Sequence, residues 1–402
     1  MSVVHSGFFL LPILAVLAPL VARGLGRWVR IPVVVFELVL GIIAGPSILG
    51  WIEPIDLFDQ LADFGLAMLF FMVGAEIRFA AIAGRPARRA SLGWLISLVA
   101  GIIAGFILSP DAGAVVIGVA LCSTALGTLM PILRDAKELD TPFGQAITAV
   151  GAVGEFGPLV AISLFLGTRD FGVATLVLVG FVLIAALAIW LAGRADHGRL
   201  HRFVNATLHT SGQFAVRLVF LILGCLVAIS LWLDLDMLLG AFTAGIVWQL
   251  IMRSAKEADR EAVESKVEAI AFGFFVPLFF LYTGVTFNLS ALVADWRILV
   301  LLPIFAILLL VIRGLPSRLA APVGSTPRDR WAVTLLGATG LPIIVAVTTI
   351  GTDEKLISPG IASALVGAGM LSVLIYPLIG MTLHGDRNVV TSPAYDPLSS
   401  GN

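Results

Sequence analysis

Glu155 lies in the stretch "GAVGEFGP", residues 151–158, and is the only ionisable side chain from Pro142 to Phe165. A charge near the centre of such an apolar segment costs ~2.5–3.5 kcal/mol even on the lenient insertion scale. Two chemistries relieve that cost: a proton neutralises the carboxylate, or a cation compensates it. A group that alternates between the two can exchange one for the other. Glu155 is therefore expected to be a functional residue, either protonated and neutral or ionised and compensated by a cation.

Arg313 is a second charge deep in an apolar run. Counted from the outer ends of their segments, Glu155 lies about 11 residues in and Arg313 about 16, a depth difference of roughly 7 Å at ~1.5 Å per residue. A long arginine side chain covers much of that gap, so Arg313 is expected to compensate charge at the site. The plain alternative is a permanent Glu155–Arg313 structural pair. Ser123, Thr124 and Thr339 offer hydroxyl or backbone oxygens, the ligands hard cations take; helix packing is their plain alternative. Glu37, Asp63 and Glu76 lie toward segment ends, where side chains snorkel to water, and are expected to serve access or interfaces. His197 and His201 stand at i and i+4 in a polar loop and are expected to be solvated. No HExxH, GxSxG or metal-spaced Cys/His cluster occurs, so neither an enzyme nor a cofactor is expected, and no metal beyond a transported monovalent cation. Cys122 and Cys225 both sit in apolar runs and suggest no disulfide framework.

The elements that must position these residues are membrane spans. The 402-residue chain is 59% hydrophobic and 13% charged, with apolar runs of about 20 residues recurring throughout, each enough to cross a hydrocarbon core. The expected fold is an all-α polytopic membrane protein. Thirteen spans are read, at 7–24, 32–50, 57–77, 90–108, 112–133, 142–165, 171–193, 213–232, 237–252, 267–287, 297–318, 330–350 and 359–382. Most Arg and Lys residues fall in alternate connections, including Arg85, Arg88, Arg89, Arg134, Arg318 and Arg330, whereas the opposite side has only Arg169, Arg297 and Lys355. The positive-inside rule then places the amino terminus outside and the carboxy terminus in the cytoplasm. Residues 253–269 carry Arg253/Glu257 and Arg260/Glu264 at i,i+4 and read as an exposed helical extension. The expected organisation is a transmembrane domain over 1–383 and a short disordered tail over 384–402, with no nucleic-acid partner.

"LFFMVG" (69–74) resembles "LFFLYTG" (278–284), and "LGIIAG" (40–45) resembles "LGAFTAG" (239–245). Both offsets are seven spans, an odd number, so the second copy is inverted. Two inverted six-helix repeats follow, 7–165 and 213–382, joined by the span at 171–193. The same offset pairs span five, with "LCSTALGTLMP" (121–131), and span twelve, with "GATGLP" (337–342). Small or hydroxylated residues precede a proline in both, so both are expected to be interrupted helices lining a protein cavity.

These stretches, with "RIPVVVFELVLGIIAGPSILG" (30–50), "LADFGLAMLFFMVGAEI" (61–77), "STALGTLMPIL" (123–133) and "PLFFLYTGVTFNL" (277–289), resemble monovalent cation:proton antiporters of the Kef/NapA type, without a C-terminal nucleotide-binding regulatory domain. The resemblance covers nearly the whole chain. It implies a dimerisation domain and a mobile core domain, crossed interrupted spans five and twelve, and a homodimer. It also implies that "GQAITAVGAVGEFGP" (144–158) carries the ion-binding pair, Asn-Asp or Asp-Asp in the family and Gly154-Glu155 here. Glu155 corresponds to the carrier acid and Arg313 to the family's lysine or arginine in span eleven. Gly154 departs from the pattern, since it cannot ligate or titrate. The expected function is electroneutral exchange of Na+ or K+ for H+ by alternating access in the cell membrane. The alternatives are a transporter of an organic or anionic solute on the same plan, and a transport-inactive membrane sensor or subunit.

Overall fold

A hydrocarbon layer offers no water to backbone N–H and C=O groups, so a chain crossing it must satisfy them internally, and apolar runs do so as helices. The computed structural model describes residues 3–25, 32–77, 84–166, 171–194, 213–252 and 257–385, with helices and no strand among them. His197, His201, Arg253 and residues 386–402 lie outside the described residues.

The principal helices are α1 (Val3–Leu25), α2 (Val33–Ala44), α3 (Asp56–Glu76), α4 (Arg85–Leu108), α5a (Gly113–Leu121) and α5b (Leu126–Asp135). They continue with α6 (Pro142–Phe165), α7 (Phe171–Arg194), α8 (Phe214–Trp232), α9 (Met237–Met252), α10 (Glu257–Thr286) and α11 (Trp296–Ala320). The last are α12a (Pro327–Gly337), α12b (Pro342–Asp353) and α13 (Pro359–Gly385). Among the described residues, ten helical segments are long and apolar enough to cross a membrane, and the shorter apolar helices Val33–Ala44, Gly172–Leu187 and Met237–Met252 fall at the other predicted spans. The protein is a multi-pass membrane protein.

Burial is uneven. The apolar window of α12 is 89% buried, whereas those of α4 and α11 are 28% buried. The interrupted helices therefore form the centre, and α4 and α11 lie toward lipid. Close contacts use glycine, as membrane helices without a hydrophobic drive between them require. A Cβ at Gly284 would lie 2.2 Å from Leu38 O and 2.9 Å from Gly41 Cα, and one at Gly245 would lie 2.1 Å from Phe71 O. The segments matched in the sequence thus pack crosswise, α2 on α10 and α3 on α9. An inversion that exchanges span two with nine and three with ten exchanges those two contacts.

Some boundaries differ from the sequence reading. Span two, read as 32–50, is helical only to Ala44. Pro46 has no N–H to continue a helix, and Ser47 Oγ donates to Phe287 O at 2.7 Å, fixing the turn to the end of α10. Span ten, read as 267–287, belongs to a helix that starts at Glu257, so the polar extension is continuous with the span. Arg260 pairs with Glu264 at 3.6 Å and with Glu257 at 3.7 Å on that extension. The tail read as starting at residue 384 loses its first residues to α13. His384 stacks on Phe143 at 3.7 Å, and its Nδ1 lies 3.1 Å from Asp329 Oδ1.

Candidate functional site

The site is built where two helices stop and restart. Span five is open at Cys122–Ala125 and span twelve at Ala338–Leu341. Pro342 occupies the first turn of α12b, where its missing N–H would have no helical partner. Pro131 instead lies inside α5b, several residues past the break, so the sequence expectation that proline marks the interruption holds in span twelve and not in span five. Span five is opened by bonds from its backbone to other helices. Ala125 N donates to Thr339 O at 2.7 Å, and Thr124 N donates to Gly154 O at 3.0 Å. In span twelve, Gly340 N donates to Ser372 Oγ of α13 at 3.1 Å.

Crossed half-helices put two positive N-termini and two negative C-termini near one place. Glu155 of α6, 1% exposed, faces one N-terminus: Gly127 N, in the first turn of α5b, lies 3.4 Å from its Oε1. Its other oxygen, Oε2, is buried and has no hydrogen-bond partner. The α5b dipole and N–H stabilise a negative charge there, and the second oxygen stays available to a proton or a cation.

Arg313, 0% exposed, bonds instead to a threonine hydroxyl and to a carbonyl in the middle of α6. Its Nε donates to Thr124 Oγ1 at 2.7 Å, and that hydroxyl donates to Gly337 O, the last residue of α12a, at 2.6 Å. Its Nη2 donates to Val150 O at 2.7 Å, and its Nη1 has no partner. The two buried charges, set about 7 Å apart in depth by residue count, form no ion pair. Glu155 and Gly154 are consecutive in a helix and so point about 100° apart. Arg313 takes the Gly154 side: a Cβ at Gly154 would lie 2.5 Å from Arg313 Nη2 and 2.6 Å from Thr124 Oγ1. The guanidinium thus fills the place of the side chain that residue 154 lacks. Arg313 itself sits in a π-helical turn, Leu309–Gly314.

The other predicted residues separate. Ser123 Oγ donates to Ala120 O at 2.8 Å and Thr339 Oγ1 to Leu335 O at 3.2 Å, leaving their oxygen lone pairs at the crossing. Glu37 is buried in α2 and Asp63 is exposed on α3. Glu76 pairs with Arg134 of α5b at 3.2 Å, and Arg134 lies 3.5 Å from Glu268 of α10, so Glu76 belongs to an ion-pair chain at the arginine-rich face. Gly127, Val150 and Gly337 were missed because they act through backbone atoms, which every residue carries. Ser372 was missed because a lone serine in an apolar span gives no distinctive signal.

The sodium/hydrogen exchanger transmembrane family model matches residues 13–383. The chain belongs to this family. It is 28% identical to the Na(+)/H(+)-K(+) antiporter GerN of Bacillus cereus, over 86% of this chain and 88% of that relative. It is 24% identical to a Na(+)/H(+) antiporter of Enterococcus hirae, over 91% of this chain and 95% of that one. It is also 26% identical to YjbQ of Bacillus subtilis, over 87% of this chain, and spans 58% of that relative's length. Its fold is similar to that of the sodium proton antiporter MjNhaP1 from Methanocaldococcus jannaschii, with TM-score 0.63 at 18% identity, covering 95% of this chain and 100% of that one.

Proposed function

We propose that this exchanger-family chain exchanges a monovalent cation, Na+ or K+, for protons by alternating access, with Glu155 as the shared binding group. The observation that carries the reading is the Glu155 carboxylate. One oxygen faces the positive end of α5b, the other is buried without a partner, and Arg313 does not neutralise it. A buried carboxylate without a counter-charge is costly, so the site favours occupation by a cation or a proton when it is closed to water. Arg313 stays charged, bound to carbonyl and hydroxyl oxygens in both legs, so its contribution to charge movement cancels over a cycle.

One proton for one cation makes the exchange electroneutral. Orientation follows the arginines, with the arginine-rich face in the cytoplasm of a cell-membrane protein. The protein works as a carrier rather than an enzyme, as a homodimer of the family's kind. Proteoliposomes carrying a pH gradient and a pH-sensitive dye test the reading. Adding Na+ or K+ should collapse the gradient with wild-type protein and not with Glu155→Gln, an isostere that neither titrates nor compensates a cation. Wild-type exchange by purified Glu155→Gln would overturn the site. Solute uptake without cation-dependent proton movement would overturn the substrate class.

A further inference from the structure

Three arginines, Arg85, Arg88 and Arg89, stand in the first turns of α4, whose N-cap residue, Gly84, makes no side-chain cap. A helix N-terminus carries a partial positive charge and disfavours cations, so this concentration is electrostatically costly as it stands. Arg318, near the end of α11, and Arg330, at the start of α12a, complete the walls of a groove of about 1010 Å³. No acidic residue lines it, and among the described residues none of the five guanidinium groups has an ion-pair partner. Arg318 also lies over the Trp331 ring, 4.5 Å from its centroid. The groove calls for an anion.

The surface below it identifies the kind of anion. Leu92 lines the groove and is 54% exposed, and Leu95, Ile96, Val99 and Ile103 continue down α4 as one exposed stripe at helical spacing. On the opposite wall Val323 is 84% exposed. Trp331 marks the water–hydrocarbon boundary, where tryptophan is enriched. A soluble anion has no use for that apolar stripe, whereas a lipid with a phosphate head and acyl chains meets both parts.

We propose that the groove binds the phosphate headgroup of an anionic phospholipid from the arginine-side leaflet, with the acyl chains lying along α4. Basic pockets between spans hold such headgroups by charge. The site lies apart from Glu155, and the proposal does not depend on the exchange reading.

Native mass spectrometry of the full chain in detergent, titrated with phosphatidylglycerol or phosphatidylcholine, tests this. Wild-type protein should retain phosphatidylglycerol in preference to phosphatidylcholine. Arg85→Gln/Arg88→Gln/Arg89→Gln should weaken phosphatidylglycerol binding by about 100-fold, the scale expected for three basic residues at an anionic lipid surface. Arg318→Gln/Arg330→Gln, from the opposite wall, should weaken it in the same direction and serves if the triple variant does not fold. Arg260→Gln, on the polar extension, should not weaken it. Equal retention of the two lipids, or undiminished binding by folded groove variants, would overturn the proposal. Displacement of phosphatidylglycerol by millimolar inorganic phosphate would overturn the lipid assignment in favour of a soluble anion.

Discussion

Glu155 could be singled out from sequence because isolation is visible there: one carboxylate in a long apolar run has no role in solvation. The partner of Arg313 could not. Depth along two helices allowed Arg313 to reach Glu155, but depth says nothing about which side of α6 it reaches. The structure places it against Gly154, Thr124 and Val150. Two outcomes follow at this scale. Gly154→Ala should lower the melting temperature in detergent, because its Cβ would lie 2.5 Å from Arg313 Nη2 and 2.7 Å from Thr124 Cβ; overpacking of this kind costs ~1–3 kcal/mol. Paired with Arg313→Ala in a double-mutant cycle, its cost should shrink, and strict additivity of the two melting shifts would separate the residues. Thr124→Val keeps the shape but removes the acceptor of Arg313 Nε and the donor to Gly337 O. A buried polar group left unsatisfied costs ~1–3 kcal/mol, so Thr124→Val should melt earlier while Thr124→Ser stays close to wild type.

At the scale of elements, the sequence carried more. Span positions were legible because hydrophobic length is a direct physical requirement of the bilayer. The two interruptions were legible because small, hydroxylated residues and proline weaken a helix in mid-run. Their positions were less so: Pro131 sits within α5b, and the break at Cys122–Ala125 is held by bonds to α6 and α12 that no local pattern encodes. The repeated glycines were read as sequence similarity, and the structure gives them a physical reason, the backbone contact of α2 with α10 and of α3 with α9. Gly284→Ala should therefore be severe, since its Cβ would lie 2.2 Å from Leu38 O, a backbone atom that cannot step aside. Gly224→Ala on α8 meets nothing within 4 Å and serves as the control. Thermal unfolding followed by fluorescence size-exclusion should show a large loss for Gly284→Ala and none for Gly224→Ala. Equal behaviour would mean that the α2–α10 contact is not tight.

For the whole molecule, the proposed cycle sets how transport responds to voltage and pH. Moving one net charge through 100 mV changes the energy by ~2.3 kcal/mol. With Glu155 carrying a cation one way and a proton the other, no net charge crosses. Flux measured by isotope under a clamped diffusion potential should be unchanged by voltage, and solid-supported membranes should show no steady transport current. A sustained current would require a second titrating carrier, for which Glu37, buried in α2, is the first residue to examine. In the proposed cycle protons and cations share the same oxygens, so apparent cation affinity should fall as pH drops, by about tenfold per pH unit once protons dominate the site. An affinity independent of pH would show that the two bind at different groups.

The π-helical turn at Leu309–Gly314 gives α11 an unusual tolerance. Deleting one residue from an α-helix turns everything beyond it by about 100° and draws it in by ~1.5 Å, which in a packed span misplaces every contact downstream. A π-turn is an α-helix carrying one surplus residue, so deletion there restores regular winding and leaves both flanks in register. Loss of Val311, whose side chain is exposed, is thus a deletion that α11 can absorb. The cost falls on Arg313, whose guanidinium would be re-aimed relative to Thr124 while the span itself survived. Chain length, normally fixed within a membrane helix, becomes at this turn a dial for where a buried positive charge points.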